Sequence, residues 1–234
     1  MPVATPIQAV LFDLDGTLVD SEIHTDTAIR VVAERHGVAG FGLPHTETRG
    51  RTWEHVAEVM RAHTGVVTGA ATLAKELLDY WTDIAADVKP VPGSPEAIRE
   101  ASRYLALAVV SSSPKSVIDT FLGKLGIADH IAPAARIGGD AVTRSKPDPE
   151  GFLKGARALG AKPSASLVFE DSQAGLLAAR AAGMRSMFIT CCAADVPGNR
   201  PLATASCTDY RSLPPRFWAR IADGSLDLVG KSFA

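Results

Sequence analysis

The chain has 234 residues, of which 46% are hydrophobic and 21% charged, with a formal net charge of −2. This composition excludes an intrinsically disordered chain and predicts a globular protein with one large domain, or a core domain carrying a smaller insertion. The balanced charge and the absence of a long basic or apolar run predict neither a nucleic-acid partner nor a membrane partner.

Short apolar segments alternate with helical patterns along most of the chain. The apolar segments predict strands buried on both faces, at residues 7–12, 105–110, 166–169 and 185–189. Helical spacing follows at residues 115–125, 152–159 and 173–182. Such alternation predicts an α/β fold with a doubly wound, Rossmann-like parallel sheet.

One segment, residues 21–90, breaks this alternation because it has helical periodicity and no convincing buried strand. Its apolar positions form two helix faces: Val56, Val59, Met60 and His63, and then Leu73, Leu77, Tyr80 or Trp81, and Ile84. A proline-rich connector ends the segment, and Ser94 with Pro95 is typical of a helix N-cap followed by the first helical position. We therefore predict a helical cap domain (21–90) inserted into a core domain (1–20 and 91–234). Phe217, Trp218 and Ile221 indicate a last helix.

Two carboxylates, Asp13 and Asp15, directly follow the first predicted strand. In an open parallel sheet, ligands bind beyond the carboxyl ends of the strands, and two crowded carboxylates there favour a shared cation or proton. The alternative is a pair of turn-forming aspartates with Gly16 at a positive φ. An EF-hand does not fit, because the glycine comes too early and no glutamate follows at loop position 12.

Polar residues also follow two later strands. Ser111 ends the second strand, and Ser112, Ser113 and Pro114 then open a helix, either as ordinary caps or as a phosphate-binding helix start. The adjacent acids Glu170 and Asp171 end the third strand, which favours a metal site. Lys146 lies in a proline-rich loop and is uninformative by itself.

In this order and spacing, the chain resembles the haloacid dehalogenase-like hydrolases over about residues 7–190. More narrowly, it resembles the branch with a helical cap between the first two motifs, which includes β-phosphoglucomutase, phosphoglycolate phosphatase and sugar-phosphate phosphatases. The residues that carry the resemblance are Asp13-x-Asp15-Gly16-Thr17-Leu18-Val19-Asp20-Ser21-Glu22, Ser111, Lys146-Pro147 and Glu170-Asp171-Ser172.

The resemblance implies a role for each of these positions. Asp13 would be the nucleophile that forms an aspartyl-phosphate, and Asp15 the general acid and base. Mg²⁺ would be held by the Asp13 carboxylate, the Asp15 carbonyl, Asp171 and Glu170. The phosphate of a small phosphorylated metabolite would be bound by the groups that surround it, namely Lys146, Ser111, Ser112, Gly16 and Thr17.

The resemblance also places Arg49-Gly50-Arg51 in a specificity loop of the cap. Arg49 or Arg51 would bind a second anionic group of the substrate. The alternative for either arginine is a solvated surface position.

Several other functions are compatible with parts of the pattern. A phosphomutase would use the same core but return the phosphoryl group to a second hydroxyl. A dehalogenase has no use for Asp15 or for the acidic pair. A receiver-like signalling module has about half this length and no cap. A non-catalytic phosphate-binding protein would normally have lost a carboxylate or the lysine.

Three cysteines, Cys191, Cys192 and Cys207, lack the spacing of a zinc site, and we interpret them as free thiols in a reducing cytosol. The N-terminus has no signal-peptide pattern, so we expect a cytoplasmic protein. The expected assembly is a monomer or a dimer.

Overall fold

A computed structural model describes residues 5–194 and 196–234 of the chain. Its strands are β1 Ala9–Phe12, β2 Ala106–Val110, β3 Arg136–Ile137, β4 Ser166–Glu170, β5 Arg185–Ile189, β6 Ala205–Cys207 and β7 Ser232–Phe233. They form one parallel sheet in the order β3-β2-β1-β4-β5-β6-β7. The first strand thus lies between the second and the fourth, so three of the predicted site segments leave neighbouring strands at the same edge.

Helices connect the strands. They are α1 Glu22–Arg35, α2 His45–Thr48, α3 Trp53–Thr64, α4 Ala70–Ile84, α5 Ser94–Ala101, α6 Lys115–Lys124, α7 Glu150–Ala158, α8 Gln173–Ala181, α9 Val196–Asn199 and α10 Phe217–Ala222. The sheet and its helical crossovers confirm the predicted doubly wound α/β fold. All residues of β1 and β4 are buried, which explains why β1 and the middle of β4, residues 167–169, are apolar without alternation.

The helices α1–α4 all lie between β1 and β2 in the chain. They pack through the predicted apolar faces, with Met60, Leu73 and Leu77 buried and the rings of Trp53 and Trp81 6.0 Å apart. The two chain segments that connect these helices to the sheet run side by side, because the Asp20 amide donates a hydrogen bond to the Lys89 carbonyl at 2.9 Å. This arrangement is what a helical cap requires, and the division at residues 20/21 and 90/91 stays a prediction.

Several local expectations were wrong. His63 is exposed rather than part of the buried face of α3. Ser94 is the first residue of α5, with Gly93 as its cap, because the Ser94 hydroxyl donates instead to the Leu18 carbonyl at 2.8 Å. Similarly, α6 begins after Pro114 rather than after Ser113, whose hydroxyl is used at the site described below.

The strands β3, β6 and β7 were not predicted, because they are only two or three residues long and carry no apolar pattern. The predicted last helix is confirmed as α10, with Phe217, Trp218 and Ile221 buried. In the part of the chain that the structure describes, no helix is long and apolar enough to cross a membrane.

Candidate active site

Asp13 leaves the carboxyl end of β1, between the ends of β2 and β4. Its amide donates to the Phe169 carbonyl at 3.0 Å, so the neighbouring strand fixes its position. The chain then turns back through Gly16, which has φ 75° and donates to the Val19 carbonyl at 2.7 Å. A Cβ atom at Gly16 would overlap the Asp171 carboxylate. Glycine is therefore required here both for the turn and for the close approach of the acidic group.

Lys146 joins two carboxylates of this edge. Its Nζ donates to Asp13 Oδ1 and, at 2.6 Å, to Glu170 Oε1. The lysine is 6% exposed and the two acids 4% and 0%. Burial alone would lower the pKa of Lys146, but the charges of its two partners outweigh burial and raise it. The lysine thus stays protonated and holds the carboxylate of the proposed nucleophile in place.

Three carboxylates, of Asp13, Glu170 and Asp171, each place an oxygen within 4.8 Å of the others. Burial, followed by the repulsion of neighbouring acids, raises the pKa of Asp171, and burial also raises that of Asp13. Asp171 Oδ1 accepts from the Thr17 hydroxyl at 3.1 Å, but Oδ2 is buried without a hydrogen-bond partner in residues 5–194 and 196–234. A buried anionic oxygen without a donor, in an all-oxygen cluster, fits a hard cation such as Mg²⁺.

Glu170 is oriented by the start of α8. The Ser172 amide and hydroxyl donate to Glu170 Oε2 at 2.8 and 2.9 Å, and the same hydroxyl caps α8 by accepting from the Gly175 amide. One Glu170 oxygen therefore faces Lys146 while the other is bound by Ser172. Both of its oxygens have partners, in contrast to those of Asp171.

Asp15 is held by three serine hydroxyls. Ser21 donates to Oδ1 at 2.7 Å, whereas Ser113 and Ser111 donate to Oδ2 at 3.1 and 3.4 Å. Burial raises the pKa of Asp15, although these hydrogen bonds oppose the shift. Asp15 is thus a buried carboxyl whose protonation is favoured by its surroundings, and it is bonded to Ser21 directly before α1.

Contacts between the cap and the core close over this edge of the sheet. The Ser112 hydroxyl donates to the Gly50 carbonyl at 2.8 Å, and Arg51 Nη1 donates to the Lys146 carbonyl at 3.2 Å. The cavity beside Asp13 has a volume of only about 30 Å³ in this conformation. Ser112 and Arg51, both predicted to bind substrate, therefore hold the cap against the core here.

Arg49 is half-buried between two partners rather than solvated. Its Nε lies 3.3 Å from Glu22 Oε2, with 12% and 7% of the two side chains exposed, and its Nη1 donates to the Cys192 carbonyl at 2.5 Å. Burial raises the pKa of Glu22 to about 8, against the effect of Arg49. Arg49 and Glu22 form a second pair of ionisable groups beside the first cluster, between α1 and the loop before α3.

The structure brings nearly all predicted site residues to one place. Asp13, Lys146, Glu170 and Asp171 form one cluster that Gly16 and Thr17 contact, and Asp15 with Ser111 lies beside it. Sequence reasoning missed Ser113 as a partner of Asp15, because Ser-Pro before a helix is typical of a cap. It also gave Glu22 no role, and only its place in the Asp13–Glu22 motif pointed to the site.

Comparisons with known proteins agree with this geometry. A family model for haloacid dehalogenase-like hydrolases matches residues 10–189. The validoxylamine A 7'-phosphate phosphatase of Streptomyces hygroscopicus subsp. limoneus is 35% identical over 193 residues, which are 78% of this chain and 85% of that protein. The phosphorylated carbohydrates phosphatase of Thermotoga maritima is 30% identical over 191 residues, 78% of this chain and 84% of the relative.

A solved structure shares the fold. The β-phosphoglucomutase of Clostridium difficile superposes with a TM-score of 0.78 over 94% of this chain and 98% of the other, at 20% sequence identity. This similarity concerns the fold alone. Because the family model matches more than half of the residues, the chain belongs to the haloacid dehalogenase-like hydrolases.

Proposed function

We propose that this chain is a magnesium-dependent phosphatase that hydrolyses a small phosphorylated metabolite, a sugar phosphate or a related phosphomonoester, through an aspartyl-phosphate on Asp13. The observation that carries the proposal is the environment of Asp13, a buried carboxylate at a strand end that contacts Lys146 and two further acids. Two of the relatives named above support this class of substrate, since one is a phosphatase of validoxylamine A 7'-phosphate and the other a phosphatase of phosphorylated carbohydrates.

Charge compensation explains why each group is present. At about 4 Å and an effective dielectric constant near 20, each pair of like charges costs roughly 4 kcal/mol. Three carboxylates and a phosphate dianion face one lysine, so further positive charge is needed. Mg²⁺ held by the Asp13 and Asp171 carboxylates and the Asp15 carbonyl, with Glu170 adjacent, would supply that charge beside the phosphate oxygens.

The residues then divide the reaction between them. The Asp13 carboxylate attacks phosphorus, the bond from phosphorus to the leaving oxygen breaks, and Asp15 gives that oxygen its proton. In the second step a water molecule attacks phosphorus, Asp15 accepts its proton, and phosphate leaves Asp13. The raised pKa of Asp15 suits a group that must carry a proton in the first step.

The cap decides which leaving group reaches this site. A cavity of about 30 Å³ is far below the roughly 300 Å³ of a small-molecule site, so the cap must move away for substrate to enter. The Ser112 hydroxyl and the Arg51 guanidinium would then lose these contacts and become available to substrate oxygens. The Gly16 and Thr17 amides stay bonded within the first loop, to the Val19 and Leu14 carbonyls, so these residues would shape the phosphate site rather than donate to it. Arg49 would bind a second anionic group, if the substrate has one.

A phosphate-release panel tests the proposal. Wild type and Asp13→Asn would be assayed with sugar phosphates, phosphoglycolate and nucleotides, in Mg²⁺ and in EDTA. We expect Mg²⁺-dependent release by wild type alone. Isomerisation of β-glucose 1-phosphate without phosphate release would instead indicate a phosphomutase. Equal activity of wild type and the Asp13→Asn variant would refute the assignment of the nucleophile.

A further inference from the structure

Two adjacent thiols lie outside this machinery, in the segment that follows β5. Cys191 is exposed and Cys192 half-buried, and their Sγ atoms are 3.4 Å apart. The Cys191 amide donates to the Thr208 carbonyl at 3.0 Å, which ties the segment to the neighbouring strand end. The third cysteine, Cys207, is buried within β6. The pair is therefore both fixed in place and accessible to a reagent.

The surroundings distinguish the two thiols. The hydrogen bond between them lowers the pKa of Cys191, whereas the same bond and burial raise the pKa of Cys192. The carboxylates of Asp209 and Asp20 oppose the shift at Cys191. Because the thiolate is the reactive form and Cys191 is the exposed member, an oxidant would react first at Cys191, with Cys192 in position to react next.

The pair also contacts the cap. The Cys192 carbonyl accepts the 2.5 Å hydrogen bond from Arg49, and Arg49 in turn pairs with Glu22. Glu22 lines the small cavity beside Asp13. A chain of direct contacts therefore runs from the thiol pair, across the boundary between core and cap, to the wall of the candidate active site.

We propose that Cys191 and Cys192 are a site of reversible oxidation, at which a hydroperoxide or a disulfide reagent forms a vicinal disulfide and thereby weakens the Arg49 contact that holds the cap closed. With a hydroperoxide, the Cys191 thiolate attacks one peroxide oxygen, the O–O bond breaks, and a sulfenic acid and the reduced peroxide product form. The Cys192 sulfur then attacks the Cys191 sulfur, the S–O bond breaks, and water leaves as the disulfide forms. Two thiols are oxidised and one peroxide is reduced.

The covalent geometry gives both the reversibility and the effect on the cap. Neighbouring Cα atoms are about 3.8 Å apart across a trans peptide, less than the roughly 4.4–6.8 Å that a relaxed disulfide spans. Bonding the two sulfurs must therefore distort the peptide formed by the Cys191 carbonyl and the Cys192 amide. The rotation passes through the Cys192 Cα to the next peptide and shifts the Cys192 carbonyl, which accepts from Arg49. Exposed and distorted disulfides are readily reduced, so a dithiol reagent should restore the thiols.

The test uses the full chain after full reduction and then titration with hydrogen peroxide. Intact mass and thiol counting measure the disulfide directly. Intrinsic tryptophan fluorescence measures cap closure, because one of the three tryptophans, Trp81, contacts Phe121 of the core helix α6. The controls are Cys191→Ser and Cys192→Ser, which remove one thiol but keep the Cys192 carbonyl. These readouts do not depend on catalysis, so they separate this inference from the proposed function.

We expect wild type to lose the mass of two hydrogens and two of its three free thiols, and its fluorescence to change. We also expect kcat/KM to fall about tenfold, which corresponds to the loss of one charge-assisted hydrogen bond. Dithiothreitol should reverse all of these changes, and neither serine variant should show them. Oxygen addition without a disulfide, or a disulfide between two chains, would overturn the proposed site. A disulfide that leaves both fluorescence and kcat/KM unchanged would overturn its coupling to the cap.

Discussion

Replacement of Asp171 by asparagine tests whether the acidic cluster is a cation site. The substitution removes one negative charge but keeps an oxygen that can accept the Thr17 hydroxyl, which lies 3.1 Å from Asp171 Oδ1. The residue is 1% exposed, so solvent screens its charge poorly. Without metal, the variant should therefore be more stable than wild type, whereas in Mg²⁺ it should lose both activity and stabilisation by the ion.

The expected gain in stability of the metal-free Asp171→Asn variant follows from the separation of the carboxylates. At the 4.8 Å limit of the cluster and a dielectric constant near 20, each like-charged pair costs about 3.5 kcal/mol. Protonation relieves part of this cost, since the pKa of Asp171 is raised. We expect a net gain of about 1–2 kcal/mol, which is about 3–6 °C in Tm for a chain of this size.

The sign of the pH dependence is also fixed. Burial raises the pKa of Asp171 above its ordinary value of 3.8. The metal-free wild type should therefore lose stability as the pH rises from about 4 through the pKa of the folded state. The Asp171→Asn variant should lose less stability over the same pH range, because it lacks this titrating group.

Differential scanning fluorimetry in EDTA and in MgCl₂ measures these effects, with the exposed Asp129→Asn as a charge-matched control. Mg²⁺ at 100 times its dissociation constant should stabilise wild type by about 2.7 kcal/mol and the variant far less. A lower Tm of the Asp171→Asn variant in EDTA, or an undiminished response to Mg²⁺, would refute the reasoning.

Three further predictions concern neighbouring groups. Lys146→Met should abolish turnover and cost about 3–5 kcal/mol in the free energy of unfolding without metal, because it leaves buried acids unpaired; an unchanged guanidinium midpoint would contradict this. Gly16→Ala should eliminate the Mg²⁺-dependent Tm shift, whereas Gly37→Ala, also at positive φ but with open space around it, should only destabilise. Equal Mg²⁺-dependent Tm shifts of the two alanine variants would contradict the prediction that Gly16 is needed for the cation site. Ser21→Ala removes a hydrogen bond that lowers the pKa of Asp15, so the alkaline limb of kcat/KM, which requires Asp15 protonated, should move to higher pH. A pH profile identical to wild type would exclude that role.

The sequence was most informative where chemistry and local pattern coincide. A fully buried strand such as β1 must be apolar throughout, so the change from apolar to polar residues marks where it ends. The carboxylates that follow are therefore recognised as strand-end residues. The same change from apolar to polar residues marks the ends of β2 and β4. Short strands such as β3 and β6 depend on pairing with neighbours rather than on their own residues, so no local signal predicts them.

Hydroxyl groups show the limit of local reasoning. Ser113 and Ser94 both precede or begin a helix, and each was predicted to be a cap. In the structure their hydroxyls donate to Asp15, 98 positions away in the chain, and to the Leu18 carbonyl. Both partners come from the first loop, which only the packing of the strands brings close.

By itself, the sequence determined the α/β class and predicted the helical segment between the first two strands and the carboxylates at the strand ends, because burial and helical periodicity leave direct traces in residue order. Lys146, in a loop, was assigned only through the resemblance to the family. Only the tertiary structure decided how these charges are paired. It showed that Lys146 joins Asp13 to Glu170 and that Asp171 keeps an oxygen without a donor among the described residues. It also showed that Arg49 contacts Glu22 and the Cys192 carbonyl. Such pairings depend on distances between segments far apart in the chain, which residue order does not encode locally.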